Sequence, residues 1–190
     1  MKSLRILVLH PSNPDTISVT TLFFKNLLPV LKKKFNVHLI WIIHKPQKLE
    51  QSFIETSKET ILDIHSFENA VEILNNTKPD LVYLNVNPNF LHYAFSKAAK
   101  KQNIPVLSGI FTKAPNLKRS KQISSFVKLF FHANRLTKKG SNEKQVIHRS
   151  HLIFRLKFLL TTLKIINQNS LKSLKEIFFD IFSEFFFITL

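Results

Sequence analysis

Arg5–Leu9 has the sequence RILVL, a short apolar run that His10 and Pro11 bring to an end. Apolar runs of this length between polar segments are typical of strands that are buried on both faces of a sheet. Val37–Ile43, with the sequence VHLIWII, has the same character and follows a segment with helical spacing. Two such strands joined by a helix predict a parallel βαβ unit with a right-handed crossover.

The alternation of strand and helix patterns continues to about residue 112. Further strands are predicted at 61–64, 81–84 and 104–107, and helices at 19–35, 67–76 and 89–101. Pro29 predicts a kink or break in the first helix, and Ser66 is the expected N-cap of the second. The pattern predicts an α/β domain over residues 1–112, with a doubly wound parallel sheet of about five strands.

Residues 113–190 are predicted to form a basic, Phe-rich helical extension. Residues 111–190 carry 15 of the 28 Lys and Arg residues but only four of the 12 Asp and Glu residues. Helices are predicted at 123–136, 146–166 and 171–187 from the spacing of their apolar residues. These apolar stripes fit two alternatives, packing on protein or lying in a membrane interface without spanning it. In the second case the residues that face anionic headgroups are Arg149, Arg155, Lys157 and Lys164.

The composition excludes several mechanisms. The chain has two glycines and no cysteine, which excludes a glycine-rich phosphate loop and thiol chemistry. No uncharged apolar stretch of about 18 residues occurs, so no transmembrane helix is expected. We therefore expect a cytoplasmic protein, which lies at the inner face of a membrane if the extension binds lipid. The chain is expected to bind no metal and no cofactor of its own.

Polar residues collect where the predicted strands end. In an open parallel sheet, ligands bind beyond the carboxyl ends of the strands, at the switch in strand order. With the order 3-2-1-4-5, this switch lies between the first and fourth predicted strands. The candidate acceptor-binding residues there are His10, Ser12, Asn13, Thr16, Asn85, Asn87, Asn89 and Ser108. Their hydrogen-bonding side chains suit the hydroxyl groups of a sugar, although Asn89 equally fits an N-cap, and His10 fits a general base or a strand cap.

Lys78–Asn85, with the sequence KPDLVYLN, resembles the K-P-D-x-V strand of glycosyltransferases of the GT-B fold, group 1/family 4-like. In that family a helix follows and then a strand of the form x-I-P-V-x, which Asn103–Ser108, NIPVLS, matches. The resemblance covers residues 2–112. It implies the N-terminal, acceptor-side Rossmann-like domain of such an enzyme.

The resemblance implies acceptor binding in the synthesis of a cell-surface or lipid-linked glycan. In that family a second Rossmann-like domain, with a glycine-rich loop, binds the nucleotide-sugar donor. No such domain is predicted here, so we expect the chain to transfer no sugar alone, as a piece of a longer product or with a separate donor-binding partner. The expected partners are a sugar or lipid-linked acceptor, an anionic membrane surface and a donor-binding domain.

The alternative function is a non-catalytic module that binds a membrane or a protein partner through the basic extension. Nucleic-acid binding is disfavoured, because the basic part contains no known nucleic-acid motif. No residue is assigned a catalytic role.

Overall fold

The computed structural model describes residues 2–10, 18–44, 53–55, 59–85, 89–109, 142–167, 169 and 171–176. The strands are β1 (Lys2–His10), β2 (Phe35–Ile43), β3 (Phe53–Glu55), β4 (Glu59–Asp63), β5 (Leu81–Asn85) and β6 (Val106–Gly109). The helices are α1 (Val19–Leu31), α2 (Ala70–Thr77), α3 (Phe90–Lys101) and α4 (Asn142–Asn167). Ile64–Ser66 forms a 3-10 turn, and residues 171–176 are helical.

The predicted α/β fold with five parallel strands is confirmed. The strands lie in the order β3-β4-β2-β1-β5-β6, and β4, β2, β1, β5 and β6 are parallel. The short edge strand β3, which the sequence analysis does not predict, pairs antiparallel with β4 and sets Ile54 opposite Ile61. Since β2 and β5 flank β1, the switch in strand order lies between β1 and β5.

Both faces of the sheet are buried under helices, because successive side chains of a strand point to opposite faces. Leu7 and Leu9 of β1 belong to the core cluster that includes α2 and α3. Ile6 and Val8 belong to a second cluster, which α1 covers through Phe24. All four strand residues are at most 2% exposed, which explains why β1 is apolar nearly throughout.

Helix α4 belongs to the same core as α2 and α3. Phe158, Leu159 and Leu163 are at most 1% exposed and lie in the cluster with Leu7 and Leu9. Thr162 joins α4 to the start of α2, because its Oγ1 accepts a hydrogen bond of 3.1 Å from the Ala70 N–H. This stripe of α4 therefore packs on the α/β domain, which was one of the two alternatives for it.

Several helix boundaries differ from the prediction, including the start of α4 at Asn142 instead of residue 146. Helix α2 begins at Ala70 and its N-cap is Asn69, whose Oδ1 accepts from the Glu72 N–H at 2.9 Å. The expected cap, Ser66, is wrong because Asp63 caps a 3-10 turn that already contains Ser66. Helix α1 includes Pro29 and ends at Leu31 instead of residue 35. The predicted helix at 123–136, residues 177–187 of the last one and the domain boundary near 112 lie outside the described residues.

Phe158→Ala tests the packing of α4. Truncation of a buried phenylalanine leaves a cavity and costs about 3–5 kcal/mol of the free energy of unfolding. Urea denaturation is expected to show a loss of this size. Ile153→Ala, in the same helix but at a side chain that is 57% exposed, is the matched control and should change stability by less than about 0.5 kcal/mol. Equal effects of the two substitutions would show that α4 does not pack in this way.

Candidate functional site

His10 ends β1 and connects it to the start of α1. Its Nε2 lies 2.8 Å from Ser18 Oγ, and its ring meets the Trp41 ring edge-on at a centroid distance of 5.6 Å. Ser18 is the N-cap of α1, because its Oγ accepts from the Thr21 N–H at 3.0 Å. The Thr21 hydroxyl oxygen in turn accepts from the Ser18 N–H at 2.8 Å. This capping box is thus held against the end of β1.

A serine hydroxyl at hydrogen-bond distance from a histidine is also the arrangement of a nucleophile and its base. Here the Ser18 oxygen is bonded to the backbone of α1, and His10 is only 1% exposed. A nucleophile needs a base that can exchange protons with a substrate, whereas this histidine is buried at the junction between β1 and α1 and the serine is half-buried and caps the helix. The geometry therefore supports a structural role for the pair.

A buried cation lies at the end of β2, on the face of the sheet opposite to the His10 ring. Arg155 of α4 is 0% exposed, and its Nη2 lies 3.2 Å from Nδ1 of His44. A guanidinium group only donates hydrogen bonds, so His44 accepts at Nδ1 and carries its ring proton on Nε2. Burial lowers the pKa of Arg155 to about 10, which leaves the group charged at neutral pH.

Helix α3 begins beside this cation. Asn89 is its N-cap, and Asn89 Oδ1 accepts hydrogen bonds of 3.0 Å from the N–H groups of Leu91 and His92. Both ring nitrogens of His92 are buried, and neither has a hydrogen-bond partner in the part of the chain that the structure describes. Burial, and next the charge of Arg155, lower the pKa of His92 to about 3. His92 is therefore neutral at neutral pH. We call His44, His92 and Arg155 the Arg155 cluster.

The structure brings the candidate acceptor-binding residues together only in part. His10 faces α1, whereas Asn89 caps α3 on the other face and its amide oxygen is occupied by that role. Ser108 is exposed in β6, next to Leu84 of β5. Asn85 ends β5, but its side chain is not described. Ser12, Asn13, Thr16 and Asn87 lie outside the described residues.

The prediction that Arg155 faces a membrane is wrong. Arg155 is four residues before Leu159 and seven before Thr162, so it shares their buried face of α4 and points towards the sheet. Lys157 and Lys164 are exposed, as that prediction requires of them. Arg149 lies in α4, and its side chain is outside the described residues.

The sequence analysis also missed His44 and His92. His44 follows directly on the predicted second strand, so its position at the carboxyl edge of the sheet could have been recognised. His92 lies three residues after the N-cap of α3 and one residue from the buried Leu91. Nothing in this local pattern indicates that the charge of Arg155, 63 positions later, acts on the His92 ring.

Comparison with known proteins found no family model, no curated protein and no solved structure that matches the chain. Within the described residues, no three His, Asp or Glu side chains are grouped so that they could hold a metal ion. None of the helices in the described part is long and apolar enough to cross a membrane. The fold and the residues at the carboxyl edge of the sheet are therefore the features that bear on function.

His92→Leu tests the buried neutral imidazole. The pKa of His92 falls from 6.5 to about 3 on folding, so between these values the unfolded chain binds more protons than the folded chain. Stability is then fully present above pH 6.5 and is lost as the pH falls, at up to about 1.4 kcal/mol per pH unit. We expect His92→Leu to be more stable than the wild type at pH 5, with a smaller difference at pH 7.5.

The control is Ile153→Ala, which truncates an exposed side chain of α4 that does not titrate. This variant should keep the pH dependence of the wild type in urea denaturation. An unchanged pH dependence in His92→Leu would contradict the neutral, buried state of His92.

Proposed function

We propose that this chain is the acceptor-side half of a glycosyltransferase of GT-B type. In this proposal it binds a sugar or lipid-linked acceptor and transfers sugar only together with a domain that binds the nucleotide-sugar. The resemblance of Lys78–Asn85 and Asn103–Ser108 to that family supports the assignment. The order of the parallel strands, with its switch between β1 and β5, is the observation that carries it.

The switch in strand order favours binding of a ligand for a geometric reason. The chain leaves β1 towards α1, which covers the face of Ile6 and Val8. It leaves β5 towards α3, which covers the face of Leu7 and Leu9. Adjacent strands whose connections diverge to opposite faces leave a crevice between their carboxyl ends. Among the candidate acceptor-binding residues, His10 ends β1 and Asn85 ends β5, the two strands on either side of this switch.

Ser108→Lys tests acceptor binding at this edge. Ser108 is exposed at the carboxyl end of β6, and a lysine there replaces a hydroxyl that suits a neutral sugar. Ligand-observed NMR with a panel of glycan and lipid-linked acceptors should show binding to the wild type. In the variant the affinity should fall roughly tenfold, as expected for the loss of one hydrogen bond of about 1.5 kcal/mol.

Asn36→Lys is the control. Asn36 is also exposed, but it lies near the amino end of β2, away from the carboxyl ends of the strands. It should bind acceptors like the wild type. The same NMR experiment with nucleotide-sugars should detect no saturable binding to the isolated chain. Saturable nucleotide-sugar binding, or no binding of any acceptor, would refute the proposal.

The outward face of α4 favours a second candidate function, binding to an anionic membrane surface. Ile153 and Lys157 are exposed one turn apart, and Lys164 is exposed two turns further along the helix. Leu156, at the border of this face, is 36% exposed. Apolar side chains between lysines can enter the interface while the ammonium groups reach lipid headgroups.

Charge reversal by Lys157→Glu with Lys164→Glu tests this membrane contact. Each basic residue near an anionic surface contributes roughly 1 kcal/mol, so the double variant should lose more than roughly tenfold in vesicle affinity. Co-sedimentation with vesicles of increasing anionic-lipid content and increasing salt measures the effect. The control, Lys100→Glu with Lys101→Glu at the exposed end of α3, changes the net charge equally. Equal losses in both double variants would argue against a contact through α4.

A further inference from the structure

We propose that the Arg155 cluster is a binding site for an oxyanion, the phosphate or carboxylate group of a small ligand. The site lies between α3, α4 and the carboxyl end of β2. Arg155 and His92 donate hydrogen bonds to the anion, and His44 orients the guanidinium group. The inference is independent of the glycosyltransferase assignment, since it depends only on these three side chains.

Arg155 supplies the charge that selects an anion. Its guanidinium is buried and charged at neutral pH, on the face of the sheet that α3 and α4 cover. A guanidinium carries five N–H donors in a planar fork that matches carboxylate and phosphate oxygens. Nη2 lies at hydrogen-bond distance from His44 Nδ1, and Nε is a buried donor atom without a hydrogen bond in the part of the chain that the structure describes. The contact with His44 thus fixes the guanidinium plane, and an anion oxygen would accept from Nε.

His92 is the observation that points to a ligand. Buried polar groups in folded proteins nearly always have a hydrogen-bond partner, and one without a partner destabilises the fold. Both ring nitrogens of His92 are buried without one in the described part of the chain. A neutral imidazole has one N–H donor, and an anion oxygen that accepts from it would remove this cost. Binding therefore stabilises a group that folding alone leaves unsatisfied.

The surrounding electrostatics favour an anion over a cation. The charge of Arg155 already lowers the pKa of His92, so a cation here would meet the same repulsion. The N-terminus of α3 adds a positive potential from the helix dipole. The N–H groups of Leu91 and His92 are bonded to Asn89, so direct recognition of the anion depends on side chains.

Thermal denaturation of the full chain tests the site, with ionic strength held constant by exchange of sodium chloride for the probe. One series uses inorganic phosphate and the other uses acetate, which separates a phosphate from a carboxylate preference. An anion that binds only the folded chain raises the free energy of unfolding by RT ln(1 + [L]/Kd), where [L] is the concentration of the free anion. Phosphate also stabilises proteins by its exclusion from their surface, and this general effect does not follow the binding relation. We expect stabilisation that follows the binding relation with at least one of the two anions, and its absence with both would overturn the proposal.

His92→Leu locates the binding. Loss of a hydrogen bond to a charged acceptor, about 1.5–3 kcal/mol, should raise the Kd by roughly tenfold or more. The control His65→Leu contacts α4 outside the cluster and should keep the Kd within about twofold. An unchanged Kd in His92→Leu would mean that the anion binds elsewhere and would overturn the proposal.

NMR of the wild type keeps the test decisive if the leucine variant does not fold. The imidazole nitrogen signals of His92 report directly on hydrogen bonding at the ring. Titration with the anion that stabilises the chain should move the His92 nitrogen signals along the same binding curve as the thermal shift. The ring signals of His65 should stay in place. If the His92 signals do not respond while stability rises, the inference is refuted.

Discussion

The packing of α4 against α3 and the sheet is the contact on which the carboxyl edge of the molecule depends. Ala94 and Ala98 of α3 are fully buried, and their small side chains leave room for Phe158 of α4, whose ring lies 6.1 Å from that of Phe95. The apolar area removed from water by Phe158 and its neighbours stabilises the position of the whole helix. Arg155 lies one turn before Phe158 in α4, so the same packing places Arg155 at the end of β2.

The sequence predicts the sheet well because its strands are decided by local pattern. β1 and β2 are continuous apolar runs, and the five parallel strands lie in the order that is usual for a doubly wound sheet. β3 was missed because three residues at a sheet edge show no periodicity that distinguishes them from a loop. Ser66 was wrongly predicted as the N-cap of α2 because the 3-10 turn after β4 also has no distinctive pattern in the sequence. This turn depends on a hydrogen bond from the His65 N–H to the Asp63 side chain.

The candidate site was harder to predict because its parts come from distant segments. The helical spacing of the leucines in α4 was recognised, but the basic residues among them were all assigned to the exposed side. Helical phase separates them: Lys157 and Lys164 lie outward, whereas Arg155 lies on the stripe of Leu159 and Thr162. Charge alone suggests exposure, whereas in the fold His44 provides a hydrogen-bond partner for this buried arginine.

The last backbone hydrogen bond between β1 and β2 explains why two polar clusters lie at this edge. The His44 N–H donates to the His10 carbonyl oxygen at 3.2 Å, beyond the last apolar pair of the two strands. Because side chains alternate, the His10 ring turns towards Trp41 and Ser18, and the His44 ring turns towards Arg155. The two histidines thus meet the α1 cap on one face of the sheet and the buried cation on the other. Polar groups enter the interior where the apolar strands end, so both proposed binding sites lie at the carboxyl edge of the sheet.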